Sequence, residues 1–205
     1  VAGMGYVFTS NKLLARILRP VVAGLLRVAL GGKGTMLILQ NPDDVALFKS
    51  GGLVDARQIR LILGSGVDMS RFRGRARPRS GRNEFRVLLA TRLLWEKGVG
   101  EYVAAARRLK NEGRNIVFLL AGGPDPGNPE SVPERTVQAW VDEGTGEWLG
   151  HVEDMPDLLA SVDVVVLPSY YREGVPKILI EAAACGLPLV TTDMPGCREV
   201  VADQV

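Results

Sequence analysis

The chain has 205 residues, 46% hydrophobic and 23% charged, with a formal net charge of +2. That is ample apolar material for a core, and it lacks the basic excess of a dedicated nucleic-acid binder. Two cysteines, Cys185 and Cys197, and a single histidine, His151, cannot make a four-ligand zinc site of Cys and His, and the thiols read as reduced and cytosolic. No uncharged apolar run approaches the roughly 18 residues needed to span a bilayer, and no stretch has the pattern of a secretory signal. The start at Val1 and the stop at Val205, just after what reads as a helix start, lead to the expectation of a fragment.

Near the beginning, Gly3-Met4-Gly5 lacks the third glycine of a dinucleotide fingerprint. Lys12–Leu30 is amphipathic: Lys12, Arg16, Arg19 and Arg27 fall within about 80° on a helical wheel, opposite Leu14, Ile17, Leu18, Val21 and Leu25. Pro20 is expected to split the stretch into two helices. Two roles stay open for it, a helix packed on the core or an attachment to anionic lipid. Gly31–Thr35 contains a Gly-Lys pair without the spacing of a phosphate-binding loop, and it precedes a strand instead of following one.

Thr35–Gln40 reads as a buried strand. Asn41-Pro42-Asp43-Asp44 then supplies a capping residue, a proline at the first helical position and acids in the first turn. The helix should end at Gly51-Gly52, and Gln58–Leu63 should be the next strand, completing one βαβ unit. Residues 71–82 hold six arginines among Gly, Pro and Ser, with no pattern of burial, and read as a linker. The expected division is therefore an incomplete domain over residues 1–70, a linker over 71–84, and a second domain over 85–205.

Beyond the linker, short apolar runs at Phe85–Ala90, Ile116–Ala121, Trp148–Gly150, Val164–Pro168 and Pro188–Thr191 alternate with helical stretches. Val99–Lys110 places Val99, Tyr102, Val103, Ala106 and Leu109 on one face; Asp157–Ser161 and Pro176–Cys185 are further helices. Buried strands alternating with helices predict an α/β fold, a doubly wound parallel sheet that binds ligands at the carboxyl ends of its strands.

Two of the loops at those ends carry chemistry. After Ala90, Arg92 and Lys97 set a guanidinium fork and a mobile ammonium beside a helix start, an arrangement suited to a diphosphate. A surface arginine with an exposed Glu96–Lys97 pair is the plainer alternative. After Pro168, Gly174 is expected to let the backbone turn tightly, and free N–H groups at Gly174 and Val175 would face an anion. Glu173, Lys177 and Glu181 would form one stripe if the helical spacing extends back. Glu181 lies in a helix otherwise nearly all apolar, so it either points to solvent beside Lys177 or meets a partner such as a ribose diol.

Residues 91–98 (TRLLWEKG) and 150–201, which include the Glu173-x7-Glu181 pair, resemble the donor-binding domain of the family 4, or group 1, glycosyltransferases. The similarity is strongest to members that build bacterial capsule and O-antigen polysaccharides. Upstream, residues 3–10, 37–48 and 64–72 resemble the end of the acceptor-side domain of the same subgroup. The resemblance implies a GT-B fold of Rossmann-like sheets and a retaining, metal-independent transfer from a nucleotide-sugar. The donor, UDP-linked by subgroup resemblance, is a co-substrate, and no cofactor is expected. Arg92 and Lys97 would hold the diphosphate, Glu181 the ribose, and Glu173 with the Gly174 and Val175 backbone the sugar and phosphate. The base would lie near His151 and Val152. The implied acceptor is a glycan or polyprenyl-linked saccharide, and the implied place the cytoplasm, with contact on the inner membrane face as an alternative. An epimerase of the same architecture and a nucleotide-sugar-binding module without turnover remain rival readings.

Overall fold

The computed structural model describes residues 13–32, 34–74 and 83–201. Gly3-Met4-Gly5, Lys12, Lys33 and the arginines of residues 75–82 lie outside them. The chain divides into two compact units. The first runs through Gly66 and takes in Tyr171–Lys177 and the chain from Asp193; the second comprises Val67–Tyr170 and Ile178–Thr192.

The first unit opens with α1, Leu13–Leu30, a single helix containing Pro20. The expected split at Pro20 does not occur. Pro20 deletes one hydrogen bond of the ladder, but its ring is exposed, and the turns on either side continue the helix. The helix meets its unit through Ala23 and Leu30, which pack on Leu37, Leu39, Phe48, Leu53 and Ile59. Its apolar stripe of Leu13, Ile17, Val21, Leu25 and Val28 is exposed, so that face is not packed on the core.

The predicted βαβ unit is present. β1 (Leu37–Leu39) and β2 (Ile59–Leu61) pair in parallel, with α2 (Pro42–Ser50) between them in the chain. Asn41 caps α2 through its side-chain oxygen, Pro42 opens it, and Asp43 and Asp44 lie in its first turn. Gln58 donates to the carbonyls of Leu30, Gly32 and Thr35 and so ties down the connection after α1.

The second unit is a five-stranded parallel sheet in the order β5-β4-β3-β6-β7. Its strands are β3 (Phe85–Ala90), β4 (Ile116–Ala121), β5 (Glu147–Gly150), β6 (Val164–Leu167) and β7 (Leu189–Thr191). The helices are α3 (Val99–Asn111), α4 (Glu134–Asp142), α5 (Met155–Leu159) and α6 (Lys177–Ala184), which continues from Lys177 of the first unit. The chain leaves β3 toward β4 and β5 on one side, then returns to add β6 and β7 on the other. The switch point thus falls between the carboxyl ends of β3 and β6.

The inner turns of α3 bury Val99, Tyr102, Val103 and Ala106 as its periodicity predicts. Tyr102 places its hydroxyl within 2.9 Å of the Val87 and Leu119 carbonyls, joining β3 to β4, and burial pushes its pKa well up. Phe72 is buried despite its arginine-rich neighbourhood, so the first residues of the supposed linker belong to the packed second unit.

Candidate donor site at the carboxyl ends of the sheet

The two loops singled out from the sequence leave β3 and β6, the strands that flank the switch point. Within the second unit they are laced together. The Glu96 carbonyl accepts from the Tyr170 N–H at 3.1 Å and from the Ser169 hydroxyl at 3.3 Å. The Ser169 carbonyl in turn accepts from the Thr192 hydroxyl beyond β7. Gly98 joins a 3₁₀ turn over Trp95–Lys97 to the start of α3 with φ 77°, and a Cβ there would run into the Pro168 backbone. Only glycine permits both that left-handed turn and so close an approach of the β3 loop to the end of β6.

Arg92 and Lys97 stand differently within the first loop. Arg92 has a side chain 65% exposed and pairs with Asp125, from the loop after β4, at 2.6 Å. Asp125 is itself set by the Ser131 hydroxyl, which accepts from its N–H at 2.9 Å, and by Asn128, which donates to its carboxylate at 3.3 Å. Lys97 is buried, with 9% exposure, so the exposed Glu96–Lys97 pair is not what forms.

Glu181 is buried on α6, with 6% exposure, on the face that also buries Ile178, Leu179 and Ala182. Lys177, four residues earlier, is exposed. The three-residue stripe back to Glu173 does not form. The helix begins at Lys177, because Pro176 has no N–H to give and keeps Val175 away from helical geometry.

Glu173, Gly174 and Val175 therefore lie on a loop, in the first unit. The Glu173 N–H donates to the Pro195 carbonyl at 3.2 Å, and the Val175 N–H donates to Gln40 Oε1 at 3.3 Å. The Val175 N–H is thus engaged, where the sequence led us to expect it free. The tight turn expected of Gly174 falls instead to Gly196. It has φ 89°, and a Cβ on it would collide with the Gly174 carbonyl. His151 is exposed and Val152 half-buried, immediately after β5, whose last residue Gly150 has φ 63°.

Sequence reasoning missed Asp125, Gln40, Asn41, Asp44 and Arg172. Asn41 and Asp44 were assigned only to the start of α2, yet both are almost fully buried, and Asp44 pairs with Arg172 at 3.2 Å. A buried amide next to a buried carboxylate has more polar atoms than one helix cap satisfies, and that surplus is the signal that points to a further partner.

A parallel sheet wound in both directions from a central strand, with polar loops gathered at its carboxyl edge, is the Rossmann-like design of the GT-B glycosyltransferases. The chain belongs to the group 1 glycosyl transferase family, whose model matches residues 84–205. Over 117 residues it is 37% identical to an N,N'-diacetylbacillosaminyl-diphospho-undecaprenol alpha-1,3-N-acetylgalactosaminyltransferase of Campylobacter jejuni, a match covering 57% of this chain and 29% of that protein. The structure of Anabaena HepE in complex with UDP and glucose superposes with a TM-score of 0.72 at 25% identity, covering 92% of this chain and 54% of HepE. WaaG, a glycosyltransferase involved in lipopolysaccharide biosynthesis, superposes with a TM-score of 0.76 over 96% of this chain and 55% of its own; at 19% identity it speaks for the fold alone. The chain thus spans less than two thirds of the length of each of these proteins.

Proposed function

We propose that the protein containing this chain transfers a sugar from a UDP-linked donor to a glycan or lipid-linked saccharide, with retention of anomeric configuration. The observation that carries this reading is the buried Glu181 carboxylate on the otherwise apolar face of α6. A carboxylate held on a helix of this sheet can accept from both hydroxyls of a ribose. Family membership supports the reading, as do the UDP held by HepE and the diphospho-undecaprenol saccharide in the name of the Campylobacter relative.

In this scheme Arg92 and Lys97 receive the donor diphosphate, and Arg92 exchanges its Asp125 partner for phosphate oxygens. As the bond between sugar and phosphate breaks, negative charge gathers on the leaving diphosphate, and the two cations stabilise it. Glu173 and the Gly174–Val175 backbone face the oxocarbenium-like sugar. The base lies along His151 and Val152, chiefly against backbone. No Asp-x-Asp occurs in the chain, so the scheme takes its electrostatic stabilisation from side chains. Transfer by the full-length enzyme is expected to persist in excess chelator. A collapse restored by manganese would contradict this scheme.

The same reading gives α1 a contact with anionic lipid on the acceptor side, on the inner face of the cytoplasmic membrane. Its exposed Leu13, Ile17, Val21, Leu25 and Val28 form one stripe, and the exposed Arg16 lies beside it. No helix among the described residues is long and apolar enough to cross a membrane. A helix of this kind lies in the interface with its apolar face inserted. Vesicle binding by the full-length protein should require anionic lipid and weaken with salt. Binding indifferent to both, or none, would assign the stripe to packing within the protein.

A further inference from the structure

The start of α2 carries more polar contacts than a helix cap requires. Asn41 Oδ1 accepts from the Asp44 N–H at 2.7 Å, and that one bond makes the cap. Asn41 and Asp44 are nonetheless buried, to 0% and 2% exposure, which demands a partner for each remaining polar atom. Asn41 Nδ2 donates to Asp44 Oδ2 at 3.0 Å and to the Glu173 carbonyl at 2.9 Å. Asp44 Oδ1 receives Arg172 Nη2 at 3.2 Å. Gln40, one residue before the cap, accepts from the Val175 N–H.

The loop is held from the other direction as well. The Glu173 N–H reaches the Pro195 carbonyl, and Gly196 packs against the Gly174 carbonyl at a distance no side chain tolerates. Arg172, Glu173, Gly174 and Val175 are thus each fixed by a named contact, and three of the four lead to Gln40, Asn41 and Asp44. The grip has a weak point. Arg172 Nε is buried without a hydrogen-bond partner, so the Asp44 carboxylate is what compensates the guanidinium. Removing it would leave a partly buried cation uncompensated, and Arg172 would leave its place.

We propose that Gln40, Asn41 and Asp44 are positioning residues that hold the Glu173–Val175 loop in the conformation used for sugar transfer. The role in transfer rests on the donor-site reading above; the grip itself does not. Catalytic groups must be held to within a fraction of an ångström, and a loop without helical or strand hydrogen bonds depends on side chains for that precision.

The test combines amide hydrogen exchange with kinetics on the full-length protein. Asp44→Asn keeps the size of the side chain and its bond to Asn41 but loses the charge that holds Arg172. In that variant, exchange at residues 172–175 is expected to rise about tenfold or more while β3 and β4 keep wild-type protection. Turnover should fall about tenfold with donor KM changed less than about twofold, the pattern of an interaction used in the transition state. Adding Arg172→Met to Asp44→Asn should cost little more than Asp44→Asn alone, as coupled partners do. Gln40→Ala removes a half-buried side chain outside the cap and carries the same readouts should Asp44→Asn fail to fold. Unchanged loop exchange overturns the grip. Faster exchange with unchanged turnover overturns the positioning role. A wild-type protein that binds no UDP overturns the donor-site reading, and the exchange arm then decides the grip by itself.

Discussion

Glu173 and Glu181 are eight residues apart in the chain and lie on segments supported in different ways. Glu181 rides on a helix whose neighbouring positions Ile178, Leu179 and Ala182 are buried, so apolar packing anchors the helix that carries it. Glu173 sits on an irregular loop fixed by polar contacts: an amide, a carboxylate–guanidinium pair and backbone bonds. Packing resists small changes and tolerates little movement, whereas a polar grip yields when one partner is lost. The difference suits two duties. A group that binds the donor equally before and during reaction gains from a rigid support. A group that acts as the sugar–phosphate bond breaks must be aimed, yet the loop bearing it must also admit and release substrate.

The largest effect that bears on this comparison should come from the packed side. Leu179 is fully buried on α6, and Leu179→Ala is expected to cost about 2–5 kcal/mol through lost transfer energy and the cavity left behind. Because the same helix bears Glu181, donor affinity should weaken along with thermal stability. A Leu179→Ala protein with wild-type donor affinity and a lowered melting temperature would show that the packing of α6 is not what aims Glu181.

A smaller effect is expected at Arg92. Its exposed pair with Asp125 is one that solvent largely screens, of the kind worth about 0.2–1 kcal/mol. Asp125→Asn should release the guanidinium for phosphate and tighten UDP binding by a few-fold, read by calorimetry at low salt. Weaker binding in that variant would mean that Asp125 orients Arg92 for the donor and does not compete with it.

What the sequence made legible was local. The start of α2 was readable because Asn41, Pro42 and the two acids act within one turn, and β3 and β4 because their six residues are mostly or wholly apolar. α4 escaped notice: it is short and mostly polar, and Pro133 caps it without a side-chain bond. Pro20 and Pro176 misled in opposite directions, the first failing to break a helix and the second breaking the stripe from Glu173 to Glu181. Phe72 was lost among arginines whose composition says nothing of a single aromatic anchor. The candidate residues in the strand-end loops were singled out by their chemistry and their resemblance to a family. The partners that hold Arg172, Glu173 and Val175 lie more than 125 residues upstream, and no periodicity or spacing links them.

The proposed division of labour between the two glutamates is tested most directly by comparing Glu181→Gln and Glu173→Gln in the full-length protein, once both are shown folded. In the proposed scheme each substitution removes a charge that strengthens hydrogen bonds to the donor, on the order of 1.5–3 kcal/mol or roughly 10- to 150-fold. Glu181→Gln should appear mainly as a raised donor KM with turnover at saturation little changed. Glu173→Gln should appear mainly as a lowered kcat with donor affinity nearly intact. The same modest defect in both variants, with UDP-sugar affinity unchanged by calorimetry, would contradict the account.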